Sequence, residues 1–211
     1  MLKDIVIAGT GGFAREVLFL LENNNRVKKE WNILGFIDDC EYKEIHGYPV
    51  LGNDDFIKQY SSEIFVVCGV GAPNIKHKIS RKFKGIPNVK FPNLIAADVC
   101  MDKENIRMGQ GCIICSGTVL TTDIKLGNFV TINLSCTIGH DTEVMDYVTI
   151  NPGTNISGNV SIGEEADIGT GCKIIQGKTI GKHAILGAGA VVVRDIPEDT
   201  TSVGVPARVI K

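Results

Sequence analysis

From Met108 to Val192 a large apolar residue recurs at every sixth position: Met108, Ile114, Leu120, Leu126, Ile132, Ile138, Val144, Ile150, Ile156, Ile162, Ile168, Ile174, Ile180, Leu186 and Val192. With such residues at roughly a quarter of positions, a run of this length arises by chance on the order of once in a billion trials. A period of six fits neither an amphipathic helix nor a plain strand, and it marks a parallel β-helix. The position after each of these guide residues is often glycine (Gly109, Gly127, Gly139, Gly163, Gly181) or asparagine (Asn133, Asn151). It reads as a tight corner that needs a tolerant residue. Four residues after each guide comes a small or β-branched side chain, among them Cys112, Thr118, Val130, Cys136, Thr142, Thr154, Val160, Ala166, Cys172, Ala184 and Ala190. One large and one small residue per rung would therefore point into a narrow triangular tube. Three hexads make a coil, so the fifteen guides predict five coils, stacked about 4.8 Å apart and capped at both ends.

Residues 1–93 follow another pattern. Asp4–Ala8 reads as a buried strand that runs into Gly9-Thr-Gly-Gly12. Phe13, Val17, Leu20 and Leu21 then lie at helical spacing, and the helix is expected to end at Asn23-Asn-Asn25. Further strands are predicted at Ile33–Ile37, stopping at Asp38-Asp39, at Ile64–Cys68, and at Asn88–Phe91, with a helix from Pro73. This alternation argues for an α/β unit, a small Rossmann-like parallel sheet with ligand at the carboxyl ends of its strands. The predicted organisation is thus an N-terminal nucleotide-binding domain over residues 1–93 and a β-helix over residues 94–211.

The glycine loop permits two ligand readings. Gly9-x-Gly11-x-x-Ala14 with Asp38 satisfies the dinucleotide fingerprint, but the second mononucleotide half is missing before the solenoid begins. A nucleotide-linked ligand, its phosphates against the loop amides and the helix N-terminus, fits the available length better.

Two resemblances narrow the function. The hexads resemble those of the left-handed β-helix acyltransferases, and the ending from Gly187 to Lys211 is similar to the terminal coil of acetyl-CoA-dependent members. That resemblance implies a left-handed coil, against the usual right-handed crossover rule. It also implies acetyl-CoA as co-substrate, contacted by Gly169, Gly187, Ala188 and Pro206, and three chains packed side by side with acetyl-CoA between neighbours. IAGTGGFAREV, GFIDD and VVCGVG with Asn74 resemble the N-terminal domain of the sialic acid O-acetyltransferase and bacillosamine N-acetyltransferase group. This implies a nucleotide-sugar substrate, with Gly9, Gly11 and Gly12 near phosphate and Asp38 and Asp39 on base or ribose.

Charge and cysteine content remove other classes. The chain of 211 residues carries 22 Lys and Arg against 24 Asp and Glu, well mixed, so no nucleic-acid partner is indicated. No apolar run approaches a membrane span and no signal peptide is evident, so a cytoplasmic protein is expected. Cys112-x-x-Cys115 lacks a second pair for zinc, and Cys112, Cys136 and Cys172 fall in the small inward column. They are read as apolar fillers, with no metal expected.

Four histidines occur. His46 and His77 are read as surface residues of a loop and a helix, and His183 as a solvated loop residue without a neighbouring carboxylate. His140, followed by Asp141, occupies an outward position on the solenoid. On spacing alone it is more often solvated than catalytic. The dipeptide resembles the family's His-acid pair, which implies that His140 is the general base and Asp141 its orienting carboxylate. Asn133 matches a family position near the acceptor, which implies substrate binding. Acetyl-CoA is already activated, so the chemistry needs proximity and a proton acceptor near neutral pH. Ser135 and Cys136 are then structural, and the three-histidine metal site of β-helix carbonic anhydrases fails on count.

An N-acetyltransferase acting on a nucleotide-linked amino sugar is the expected function, with O-acetylation of sialic acid or another sugar as the alternative. A non-catalytic nucleotide-sugar scaffold is the alternative of another class. Outward apolar residues such as Met145 and Tyr147 point to oligomer contacts, a homotrimer by the resemblance. A single acceptor molecule is expected to lie across the domain junction, its nucleotide at Asp38 and Asp39 and its sugar at His140.

Overall fold

The computed structural model describes residues 1–211. The N-terminal unit is a four-stranded parallel sheet in the order β2-β1-β5-β6. Its elements are β1 (Lys3–Ala8), α1 (Gly12–Val27), β2 (Trp31–Ile37), β3 (Glu44–Ile45), β4 (Tyr48–Pro49), α2 (Asp55–Gln59), β5 (Ile64–Cys68), α3 (Pro73–Phe83) and β6 (Val89–Lys90). The central strands are near-continuous apolar runs because helices or the solenoid cover both faces. Ile5, Val6, Ile7, Ile64 and Val66 are fully buried.

Helix α1 runs through its expected stop at Asn23-Asn-Asn25 and ends at Val27. The three asparagines do not break it: Asn23 Oδ1 accepts from the Arg26 guanidinium within the helix, and Asn24 and Asn25 satisfy backbone groups outside it. Asn25 Oδ1 accepts from the amides of Glu30 and Trp31. Asn24 donates to the Ile95 carbonyl and accepts from the Ala97 amide, tying α1 to the first coil. The β3–β4 hairpin, with His46 at its exposed turn, and the short α2 carry no periodicity long enough to be read from the sequence.

Beyond β6 the chain becomes a left-handed parallel β-helix with three faces. The first face runs from Leu94–Ile95 through Ile113–Ile114, Thr131–Ile132, Thr149–Ile150, Asp167–Ile168 and Ile185–Leu186 to Thr201–Val203, where Arg208–Val209 pairs antiparallel as a cap. The second face carries six strands from Cys100–Met101 to Val191–Val192, and the third carries five from Arg107–Met108 to Thr179–Ile180. Both inward columns are as expected. Every guide from Ile114 to Val192 is buried, and Cys112, Cys136, Cys172, Ala166 and Thr154 are fully enclosed.

Two expectations need correction. The solenoid has six coils on its second face, not five. The extra coil was hidden because seven residues, not six, separate Met101 from Met108. Asp102 Oδ1 accepts from the amides of Glu104 and Asn105, and that local turn absorbs the added residue. The corner glycines also serve a different purpose. The left-handed backbone lies three residues after each guide, at Asp123, Ser135, Asp141, Asn159 and Glu165 among others. The glycines directly after the guides are needed because the next coil passes too close for a Cβ. At Gly139 it would stand 2.6 Å from the Gly158 nitrogen.

Candidate functional site

Two groups of predicted site residues gather separately. Gly9, Asp38 and Asp39 line a cleft of about 570 Å³ at the carboxyl ends of β1 and β2, closed on its other side by Asn53, Lys82 and α3. Asp38 is held rigidly: its Oδ2 accepts from the Thr10 hydroxyl at 2.6 Å and its Oδ1 from the Asp39 amide at 2.8 Å. Asp39 is exposed. Gly11 is the N-cap of α1 and makes no side-chain cap bond, so the first amides of that helix, from Gly12 on, are free to meet an anion. The second glycine loop is not open in the same way. Gly71 uses its carbonyl to accept from the Thr149 hydroxyl of the solenoid.

The second group sits on the solenoid edge between the second and third faces. His140 follows the strand Thr137–Ile138, and Asp141 adopts the left-handed conformation at φ 57°, which aspartate tolerates better than most residues. That turn brings its carboxylate back on the imidazole, with His140 Nδ1 at 2.7 Å from Asp141 Oδ2. A carboxylate only accepts, so Nδ1 donates to it, and in the neutral imidazole Nε2 then holds the lone pair. Both side chains are about half exposed. Asp141 also borders a polar groove of about 660 Å³ that includes Arg107, Lys125 and Lys178.

The remaining predicted residues lie on a different edge, between the first and second faces. Asn133, Gly169 and Gly187 stack there one per coil or two coils apart, with Ala188 beside them. Asn133 is largely buried and its Oδ1 accepts from the Leu134 amide. A Cβ on Gly187 would stand 2.7 Å from Val203 Cγ1. Pro206 follows a cis peptide in the exposed terminal turn.

Several expectations about single residues fail. His77 is not a surface residue: it stacks on Tyr147 at 4.2 Å between ring centroids and pairs with Glu165 at 2.5 Å, joining α3 to the solenoid. Tyr147 is consequently buried at this internal junction and is not an outward oligomer contact, whereas Met145 is exposed. His183 does have a carboxylate, Asp199 at 2.9 Å, supplied by the next coil and therefore invisible to local sequence. Cys112 and Cys115 point to opposite sides of the wall and into different cores. Burial pushes their thiols up to about 11 and about 12, so neither is a thiolate at neutral pH.

The most consequential unforeseen residue is Lys76 on α3. It is buried against the first face, and its Nζ donates to the Thr131 hydroxyl at 2.9 Å, the Thr149 hydroxyl at 3.1 Å and the Val148 carbonyl at 3.2 Å. Burial pushes it down to about 7. Its spacing from Pro73, Ser80 and Phe83 places it on the helix's buried stripe, which was the available signal.

Lys76, Asn24 and the His77–Tyr147 stack fix the N-terminal unit on the first face. His140 stands on the edge opposite that face. In one chain the nucleotide cleft and the His-acid pair are thus separated by the prism. An acceptor bridging them within one chain would have to pass around the solenoid.

The PglD N-terminal domain family matches residues 4–83. Among solved structures, the acetyltransferase domain of PglB from Neisseria gonorrhoeae FA1090, in complex with acetyl coenzyme A, is 30% identical with a TM-score of 0.91, all of both chains being covered. WeeI from Acinetobacter baumannii AYE is 32% identical with a TM-score of 0.88, covering 99% of this chain and 100% of its own. The chain belongs to this family of sugar acetyltransferases. A histidine-to-asparagine variant of perosamine N-acetyltransferase from Caulobacter crescentus, in complex with CoA and GDP-perosamine, is 28% identical with a TM-score of 0.90, covering 100% of this chain and 98% of its own. No curated protein matches the chain significantly by sequence. This acetyltransferase has no helix long and apolar enough to cross a membrane.

Proposed function

We propose that the protein transfers the acetyl group of acetyl-CoA to the amine of a nucleotide-linked amino sugar, with His140 as general base. The observation that carries this reading is the His140–Asp141 pair on an exposed edge, its Nδ1 held by the carboxylate and its side chain about half exposed. The solved relatives that hold CoA with GDP-perosamine, or acetyl coenzyme A, support the substrate classes.

His140 Nε2 takes a proton as the amine attacks the thioester carbon, and Asp141 stabilises the imidazolium that forms. The proton then passes to the departing CoA thiolate, so the base is restored. Backbone amides of the edge are the candidate donors to the tetrahedral oxyanion. The cleft at Gly9, Asp38 and Asp39 takes the nucleotide, its diphosphate at the uncapped start of α1. Gly169, Gly187 and Ala188 on the neighbouring edge are the positions assigned to the pantetheine arm of acetyl-CoA.

Because cleft and base occupy opposite sides of the prism, each site is completed by a second copy, in keeping with a trimer. Exposed Val119, Leu134, Ile175 and Val193 flank the second face and supply apolar surface for that contact. The test is thiol release from acetyl-CoA against a panel of UDP-, GDP- and dTDP-4-amino sugars and free sialic acid. Turnover with an amino-sugar nucleotide supports the reading. Turnover with free sialic acid alone replaces it with O-acetylation.

A further inference from the structure

The imidazole of His140 does not lie over its own coil. It reaches across to the next, where Gly158 occupies the equivalent position eighteen residues on. A Cβ built on Gly158 would stand 2.5 Å from His140 Nε2, 2.6 Å from Cε1 and 2.9 Å from Cδ2. Its three nearest atoms all belong to the ring, so the first group a methyl there would meet is the imidazole.

The backbone does not explain this glycine. Gly158 is absent from the left-handed positions, which in that corner belong to Asp141 and Asn159. Alanine is conformationally permitted there, and such a replacement ordinarily stabilises a protein by restricting the unfolded chain. Gly139 differs, since its Cβ would meet backbone of the next coil. Backbone relaxes far less readily than a half-exposed ring.

We infer that Gly158 is a positioning residue for the base: its bare backbone is the seat on which the His140 ring lies flat while Asp141 holds Nδ1. The seat fixes the direction of Nε2 toward the acceptor. A side chain at 158 swings the ring outward, and misplacement of a reacting group by about 1 Å costs up to roughly 100-fold. The inference rests on His140 being the base, and the experiment keeps the two claims separable.

The experiment compares wild type, Gly158→Ala, His140→Ala and the double variant by thiol release, with both KM values and Tm measured for each. Gly158→Ala is expected to lower kcat roughly 10- to 100-fold and to leave Tm and the acetyl-CoA KM unchanged. In the His140→Ala background the same replacement is expected to cost nothing further, because no ring remains to displace. A Gly158→Ala variant with wild-type kcat overturns the inference. So does a loss that repeats in full in the His140→Ala background, since glycine would then act on substrate or coil directly. A His140→Ala variant that keeps more than half the activity instead removes the base itself.

Discussion

Replacing Lys76 with methionine should change how the protein's stability responds to pH. Lys76 is the one ammonium enclosed between α3 and the first face of the solenoid, and its folded value of about 7 lies below the ordinary 10.5. Above about 7 the unfolded chain therefore binds a proton that the folded chain does not, and stability rises with pH across that window. Each pH unit there is worth about 1.4 kcal/mol. From pH 6 to 8.5 the gain is thus about 2 kcal/mol, nearly all of it above pH 7. The groups facing Lys76 do not interfere in this range. Burial raises Cys68 to about 12 and Cys112 to about 11, from 9.0, so they withdraw stability only as pH climbs past 9. Asp167 is also raised, by burial, and acts on the acid side. Lys76→Met removes the proton and leaves the Thr131 hydroxyl without that donor, at about 1–3 kcal/mol, while the Val148 carbonyl keeps the Thr131 amide at 2.9 Å. The assay is urea unfolding at pH 6 and 8.5, followed by fluorescence of the single tryptophan, Trp31, which is buried in β2. Wild type should gain stability between the two pH values and the variant should not. Equal slopes in the two proteins would refute the reasoning, as would a wild type that is flat.

Other outcomes are expected from the remaining sites. His140→Ala should lower kcat by roughly 10²–10⁴ with the acetyl-CoA KM nearly unchanged, as steady-state kinetics will show. Changing Asp38 and Asp39 together to Ala should raise the acceptor KM and spare that of acetyl-CoA, since binding lost far from the reacting atoms is mostly uniform. An unchanged acceptor KM would mean that the cleft holds no part of the acceptor. Ile156→Asp puts a carboxylate into the large inward column, where Ile156 is 3% exposed, at several kcal/mol. Soluble expression with an unchanged Tm would contradict the register.

The solenoid was legible because its code is strictly periodic and each rung meets only its neighbours. Where the phase slipped, between Met101 and Met108, a coil disappeared from view. The glycine after each guide was seen for the right column and the wrong cause. Sequence displays a missing side chain, but the coil passing beneath Gly139 comes from residues 157 and 158. The same limit explains His183 and Asp199, sixteen residues apart and in contact only because coils stack. The His140–Asp141 pair was legible because its members are adjacent. Tyr147 was not, because the docking of a Rossmann-like sheet on one face of a prism leaves no local mark there, and Lys76 left only its place on the buried stripe of α3. A lysine on a helix ordinarily reads as solvent-facing.

The placement of His140 opposite the first face has a genetic counterpart. If each site draws its nucleotide cleft from one chain and its base from the next, then a protein dead at His140 and a protein dead at Asp38 and Asp39 are broken in different halves. Mixed and allowed to exchange subunits, they reassemble some sites with both halves intact, and activity returns from two inactive preparations. Sites built within a single chain would stay silent in the same mixture, however long it stood.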